Sequence, residues 1–163
     1  MLKKFLTVLL FLTALCFKCF AEVKQNYDRF SGVKDIYSST TQTLRDIKPD
    51  GNPFAVVIFD KSSKFGVGIT LRQFNIEKLF SNADLQMKID EDEIVSLPIL
   101  GTRIEKGEVT KFITAGYWDA NKVIDKIAQA KKITIRVYYS NQPDITWTLP
   151  DKVLKEWQEV LQR

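Results

Sequence analysis

The 163-residue chain contains no histidine and only two cysteines, and both facts restrict the chemistry that it can perform. Cys16 and Cys19 lie within the first 21 residues, so a chain that loses this segment contains no thiol. Disulfide bonds, cysteine nucleophiles and thiolate metal sites are then excluded. The lack of histidine removes the usual base of serine hydrolases and the commonest zinc ligand. We therefore expect no metal ion, no cofactor and no enzymatic activity of these common kinds.

The start of the chain has the pattern of a cleavable secretory signal peptide. Lys3–Lys4 form a short positive region, and Phe5–Phe17 form an apolar run without charge. The small residues Cys19 and Ala21 follow at the spacing of a cleavage site. The pattern predicts removal of residues 1–21.

Two alternatives to a cleaved leader are a membrane anchor and a lipoprotein. A spanning helix needs roughly 20 apolar residues, and Lys18 interrupts the run before that length. Acylation of Cys16 or Cys19 normally requires a very small preceding residue, where this chain has Leu15 or Lys18. Cleavage is favoured over both, and residues 22–163 are expected to form one periplasmic or secreted domain without a stable membrane anchor.

The net charge of +4 is due mainly to the predicted leader. Three of the 24 basic residues, Lys3, Lys4 and Lys18, lie in the first 21 positions, which contain no acidic residue. The rest of the chain therefore has 21 basic and 20 acidic residues. Because a nucleic-acid partner requires a clustered basic surface, none is expected.

Strand-like alternation along most of the chain, with two segments of helical periodicity in its C-terminal part, predicts an α+β fold. Residues 22–32 are expected as an irregular lead-in and Gly101–Gly107 as a turn, whereas eight other segments have strand patterns. These strand segments are Val33–Leu44, Phe54–Phe59, Gly66–Phe74, Leu85–Ile89, Ile94–Leu97, Val109–Thr114, Lys132–Tyr139 and Ile145–Leu149. The prediction is a mainly antiparallel sheet or sandwich of six to eight strands with two packed helices, at about 119–131 and 151–162.

Polar side chains alternate with the core positions of several predicted strands and form the main candidate site. They are Thr70, Arg72, Thr134, Arg136, Tyr138 and Thr146. If the strands are neighbours, two arginines and a tyrosine share one surface. Arginine binds carboxylate and phosphate groups, and arginine and tyrosine are both common anchors of protein interfaces. The alternative is an ordinary solvated sheet face.

Two other segments are weaker candidates. Tyr117 and Trp118, next to Gly116, either mark a contact or cover the core. The acidic run Asp90–Glu93 offers oxygen ligands for calcium, but it lacks the central glycine and terminal glutamate of an EF-hand loop. A solvated hairpin turn is favoured for this run.

Three short stretches resemble small, uncharacterised secreted bacterial proteins and lipoproteins. They are Tyr27-Asp28-Arg29-Phe30-Ser31-Gly32, Ile89-Asp90, and Ile127-Ala128-Gln129-Ala130 leading into Ile133-Thr134-Ile135-Arg136-Val137. The C-terminal half is also similar to the invasion-associated locus B family of β-rich exported proteins. The resemblance implies export and a β-rich fold, and neither family implies a catalytic residue.

These observations favour an exported, non-enzymatic domain that binds a protein, a cell-envelope component or a small ligand through its sheet face. One alternative is a carboxylate-dependent hydrolase of glycan or peptidoglycan, which needs two acids facing each other about 5–10 Å apart. A second alternative is a structural or assembly subunit, which an exposed strand edge able to accept another chain would favour.

Overall fold

A computed structural model describes residues 23–43, 54–73, 80–91, 94–106, 112–140 and 143–163, so the predicted leader lies outside it. In these ranges the chain forms ten strands and two α-helices, which confirms the α+β class. The strands are β1 (Val23–Tyr27), β2 (Lys34–Thr43), β3 (Phe54–Ser62), β4 (Gly66–Gln73), β5 (Leu85–Ile89), β6 (Ile94–Leu97), β7 (Ile99–Lys106), β8 (Phe112–Asp119), β9 (Ile133–Val137) and β10 (Ile145–Thr148). The helices are α1 (Ile124–Gln129), preceded by a 3₁₀ turn at Asn121–Val123, and α2 (Asp151–Gln162).

Six strands form the larger of two antiparallel sheets, in the order β1-β2-β3-β4-β8-β7. The apolar strand β3 lies in its interior, as a run without polar alternation predicts. Along β4, Val67, Ile69 and Leu71 are buried on the same side. Because successive side chains of a strand point to opposite faces, Thr70 and Arg72 point the other way. We call these two sides the inner and outer faces of the large sheet.

The small sheet has four antiparallel strands in the order β10-β9-β5-β6. β5 and β6 form the hairpin predicted around the acidic run. Met87 of β5 pairs with Ile135 of β9, and both are fully buried. Pro98 takes the chain directly from β6, at the edge of the small sheet, into β7, at the edge of the large one. This placement agrees with the expectation that proline ends a strand at a sheet edge.

The buried side chains of both sheets and both helices form one core, and α2 covers the part of the large sheet built from β1, β2 and β3. The Trp157 ring of α2 stacks on Phe59 with the ring centroids 4.4 Å apart. Ser38 Oγ donates a hydrogen bond of 3.0 Å to the buried Glu156 carboxylate in the same interface. The helix buries one stripe at the spacing expected of an amphipathic helix: Val153, Leu154, Trp157 and Val160.

Within the described ranges, two strands, β1 and β7, are not predicted by the sequence pattern and add to the eight predicted strand segments. β1 has one buried residue, Val23, and is held at the sheet edge by backbone pairing with β2 rather than by an apolar pattern. β7 covers Gly101–Lys106 of the segment for which the sequence predicts a turn. A register shift between Ile99 and Gly101 accommodates this glycine in the strand.

The first helix in the structure is shorter than the range 119–131 that the sequence predicts. Asp119 is the last residue of β8, and its carboxylate accepts a hydrogen bond of 2.8 Å from the Asn121 N–H, at the start of the 3₁₀ turn. α1 ends at Gln129 because Ala130 is extended. Gln158 of α2 donates to the carbonyls of residues 127 and 130, which satisfies acceptors at the end of this short helix. The second helix matches its prediction.

Candidate binding surface

The predicted surface is divided between the two sheets. Thr70 and Arg72 lie on β4, between β3 and β8 of the large sheet. Thr134 and Arg136 lie on β9, and Thr146 lies on β10, both in the small sheet. The strands are therefore not neighbours, and the two arginines do not share one sheet face. Periodicity predicts which side of a strand is polar, but it does not predict the sheet to which the strand belongs.

On the large sheet, the strand register brings part of the predicted set together. Thr70 is paired with Tyr117 of β8, and Arg72 is paired with Ala115. Ala115 is in turn paired with Arg103 of β7. Because directly paired residues point to the same face, all five side chains belong to the outer face. This face thus combines two predicted candidates with a tyrosine that had been considered separately.

The centre of this outer face contains small side chains that are buried between larger ones. Ala115 is 0% exposed and Thr70 is 9% exposed, although neither points into the core. The Arg103 guanidinium lies over the Tyr117 ring, 4.9 Å from its centroid. Such a cation–π contact is favourable and orients both groups. Tyr117 and Arg103 therefore form an ordered pair next to the buried Thr70 and Ala115.

Trp118 lies on the opposite side of β8 and belongs to the core. It is 1% exposed, packs edge-on against Phe80 with ring centroids 5.7 Å apart, and donates from Nε1 to the Ala83 carbonyl at 3.0 Å. Gly116 allows this arrangement, because a Cβ there would lie 2.2 Å from the Trp118 ring. The structure therefore separates Tyr117 from Trp118, with the first on the outer face and the second inside.

Asp60 is a half-buried carboxyl group on the same outer face. Burial, and then the charge of Asp35, raise its pKa from 3.8 to about 6. The register places Asp60 beside Gly68 and places Gly68 beside Asp119 on the other side. The missing side chain of Gly68 leaves room for the Asp60 carboxylate, which is 3.3 Å from the position of a Cβ.

Asp60 and Asp119 lie two strand spacings apart, about 10 Å between their Cα atoms. The Asp119 carboxylate accepts hydrogen bonds from the backbone and side-chain amides of Asn121. It is thereby engaged in shaping the turn after β8. The carboxylate-dependent hydrolase stays a prediction.

The outer face of the small sheet is occupied by mutual side-chain contacts. Arg136 Nε donates to Thr146 Oγ1 at 3.2 Å and lies 3.5 Å from the Asp144 carboxylate. The hydroxyls of Thr134 and Thr148 are 3.0 Å apart. The Arg136 and Asp144 side chains remain almost half exposed, at 45% and 46%. This pattern is typical of a solvated sheet face with weak ion pairs.

Tyr138 follows β9 and is half-buried. Its backbone carbonyl accepts a hydrogen bond of 2.9 Å from Ser81 N–H, next to the bridge between Phe80 and Tyr139. Phe80 and Tyr139 also stack with ring centroids 5.2 Å apart. The Tyr138 backbone thus helps to attach the segment before β5 to the small sheet.

The first residue of the acidic run, Asp90, stabilises the fold through its carboxylate. Asp90 has a positive φ of 52° and accepts hydrogen bonds from the N–H groups of Lys131 and Lys132, at 2.8 and 2.7 Å. The carboxylate therefore ties the β5–β6 hairpin to the start of β9. Glu91 lies 3.5 Å from Lys88 in an exposed ion pair. Across the described ranges, no group of three or more acidic side chains is placed to hold a metal ion.

Sequence reasoning missed Arg103 and Asp60 as members of the outer face. Arg103 lies in a segment predicted as a turn, so its alternation with Ile104 was not used. Asp60 was expected in a turn, but β3 continues to Ser62. The polar residue after an apolar run could have been included, because the strand alternation places Asp60 opposite Phe59.

No protein-family model matches this chain, and no curated protein matches it. Among solved structures, the chain is similar to the crystal structure of invasion associated protein B from Bartonella henselae, at 12% sequence identity and a TM-score of 0.43. The match covers 85% of this chain and 90% of the other. The sequence analysis gives the same family as a resemblance of the C-terminal half. A structural similarity this weak supplies no function and no site residue. None of the described helices is both long and apolar enough to cross a membrane.

Proposed function

We propose that this chain is an exported, non-enzymatic domain that binds a protein or a cell-envelope component through the outer face of its large sheet. The observation that carries the proposal is the Arg103–Tyr117 pair beside the buried Thr70 and Ala115. Arginine and tyrosine supply much of the binding energy in many interfaces. A pair that is already ordered loses less conformational entropy on binding.

The difference between the two outer faces supports the choice of the large sheet. On the small sheet, Arg136 is bonded to Thr146 and lies near Asp144, in the pattern of a solvated sheet face with weak ion pairs. On the large sheet, the Arg103 guanidinium lies over the Tyr117 ring and Ala115 and Thr70 are buried beside this pair, so the part of the face that a partner would contact is the arginine and the tyrosine. Interfaces of this composition bury apolar and polar surface together.

The leader pattern supports the export part of the proposal. This part rests on the positive start Lys3–Lys4, the uncharged apolar run Phe5–Phe17 and the small residues Cys19 and Ala21. Intact-mass measurement of the protein from the native cell tests this part: loss of residues 1–21 is expected, and a mass that includes Met1 would contradict it.

The binding surface is tested by capture from the exported fraction of the native cell. Arg103→Glu is expected to reduce the amount of the captured partner at least about tenfold, because a charge of opposite sign replaces an anchor. Arg136→Glu on the small sheet is the matched control and is expected to capture like the unchanged protein. Melting curves check that both variants fold. Equal capture by Arg103→Glu and the unchanged protein would refute this surface.

A second candidate function, an assembly subunit, is favoured by the edge strand β7. Its side chains include the exposed Leu100 and Ile104, at 70% and 55%, and one side of its backbone faces no described strand. An exposed edge can accept a strand from another chain. Sedimentation of the protein over a range of concentrations tests this: self-association that Leu100→Lys abolishes and Ile94→Lys on β6 preserves would support it, and a monomer at every concentration would contradict self-assembly.

A further inference from the structure

Two hairpin turns lie side by side at one end of the large sheet. Residues 28–33 connect β1 to β2, and residues 63–65 connect β3 to β4. Lys34 N–H donates to Ser63 Oγ at 3.0 Å, and Ser63 N–H donates to the Lys34 carbonyl at 2.9 Å. These bonds hold the two turns together, and we call them the paired turns.

The paired turns carry three of the large hydrophobic side chains that are most exposed in the described ranges. Phe30 is 100% exposed, Phe65 is 74% exposed, and Tyr27, at the end of β1, is 57% exposed. The bonds between the two turns place Phe30 and Phe65 at the same end of the large sheet, and exposed apolar groups in one region of a surface are typical of interaction sites. Aromatic rings are also the side chains that prefer the boundary between lipid and water.

The first turn is ordered so that Phe30 is held outward. The Asp28 carboxylate accepts hydrogen bonds from the Phe30 N–H and the Ser31 hydroxyl, and these bonds lower the pKa of Asp28. Gly32, with a φ of 70°, donates to the Asp28 carbonyl at 2.8 Å. Positive φ suits glycine at such a position. The exposure of Phe30 is therefore a property of a bonded turn.

Cationic side chains accompany the exposed rings. Arg29, Lys34 and Lys64 belong to or border the paired turns, and Lys64 Nζ lies 5.1 Å from the centroid of the Phe65 ring. Asp28 keeps its negative charge and Asp35 follows Lys34, so the three cations exceed the two neighbouring acids by one. An anionic lipid surface attracts lysine and arginine by about 1 kcal/mol for each residue near it. The charge of the paired turns thus complements such a surface.

We propose that the paired turns dock on the surface of an anionic lipid bilayer, with Phe30 and Phe65 entering the boundary region and the adjacent cations contacting headgroups. The turns lie at the end of the sheet, whereas the proposed partner surface lies on its outer face. This inference is therefore independent of the proposed binding function, and either can fail alone. Docked in this way, the domain would remain at a membrane without a spanning helix.

The test is flotation of the protein, in the form that accumulates in the native cell, with two kinds of vesicle. Vesicles that contain phosphatidylglycerol and phosphatidylethanolamine are expected to bind it, and vesicles of phosphatidylcholine alone are expected to bind it weakly. The double variant Phe30→Ala/Phe65→Ala should reduce binding at least about tenfold, because it removes the apolar area that enters the lipid. Lys34→Glu/Lys64→Glu should also reduce binding, and salt should weaken it for the unchanged protein.

The matched control is Ile94→Ala, which removes an exposed apolar side chain from β6 instead. This control is expected to bind vesicles like the unchanged protein. The proposal is overturned if the protein fails to bind the anionic vesicles, or if the phenylalanine variant binds them as well as the control does. Equal binding to both kinds of vesicle would overturn the assigned role of the cations.

Discussion

The outer faces of the two sheets are both polar, but they differ in how their polar groups are satisfied. On the large sheet, Asp60 is half-buried with a raised pKa, and Arg103 lies over Tyr117. On the small sheet, Arg136 and Asp144 are exposed and lie close to each other. Thr70 and Ala115 are buried on the outer face of the large sheet, whereas Arg136 and Thr146 are exposed on that of the small sheet. Burial on a nominally solvated face is thus a feature that distinguishes a candidate site.

The largest expected effect is a difference in stability between a tryptophan that packs on the large sheet and one that belongs to the small sheet. Trp157→Ala should lower the free energy of unfolding by about 3–5 kcal/mol, because the stacked partner of Phe59 is lost from a fully buried site. Trp147→Ala, at a half-buried position on the small sheet, should cost about 1–2 kcal/mol. Denaturant unfolding measures both. Equal losses would contradict the central position of the α2 contact.

An effect of intermediate size is expected from the half-buried carboxyl group of Asp60 on the large sheet. The folded protein holds a proton on Asp60 that the unfolded chain releases at lower pH, since the folded pKa is about 6 and the ordinary value is 3.8. The free energy of unfolding should therefore fall as the pH rises from about 4 through 6. Asp60→Asn should remove this fall and stabilise the protein by roughly 1–3 kcal/mol at pH 7.5.

The control for this prediction is Asp144→Asn on the small sheet, because Asp144 is an exposed carboxylate near Arg136. It should leave the pH dependence between 4 and 6 in place. Asp35→Asn should reduce the fall in part, since the charge of Asp35 contributes to the raised pKa of Asp60. Unfolding curves at several pH values provide the measurement, and a stability profile of Asp60→Asn that matches the unchanged protein would be evidence against the burial of this charge.

The smallest effect is expected on the outer face of the small sheet. Arg136→Ala should change the free energy of unfolding by no more than about 0.5 kcal/mol, because exposed ion pairs contribute little. Thermal melting at two salt concentrations provides the measurement. A loss above about 2 kcal/mol would mean that the Arg136–Thr146–Asp144 group has a larger structural role than its exposure indicates.

Local patterns were sufficient for the fold class, for the central position of Phe54–Phe59 and for the helix Asp151–Gln162. They were insufficient for β1, which is held by backbone pairing with almost no buried side chain. They were also insufficient for β7, where a bulge keeps a glycine within a strand. The glycines at 101 and 107 favour a turn in the sequence analysis, although the residues between them alternate as in a strand. In the structure, pairing with β8 holds Gly101–Lys106 as part of strand β7.

The candidate site was predictable only in part, for a related reason. Alternation identified Thr70 and Arg72 as outward residues, and the structure places them so. The combination with Arg136 required β4 and β9 to be neighbours, which is a property of the sheet order and not of any local segment. The partner of Tyr117 is Arg103, whose strand was not predicted. A surface built from several strands needs the long-range pairing before its members can be chosen.

The most direct test of the central claim places a photo-crosslinking amino acid at position 117 on the large sheet or at position 134 on the small sheet. Each protein is irradiated in the native cell, and crosslinked products are identified by mass spectrometry. A crosslink to one defined partner from Tyr117, with none from Thr134, is the expected result. A specific product from Thr134 alone would contradict the claim that the outer face of the large sheet is the binding surface.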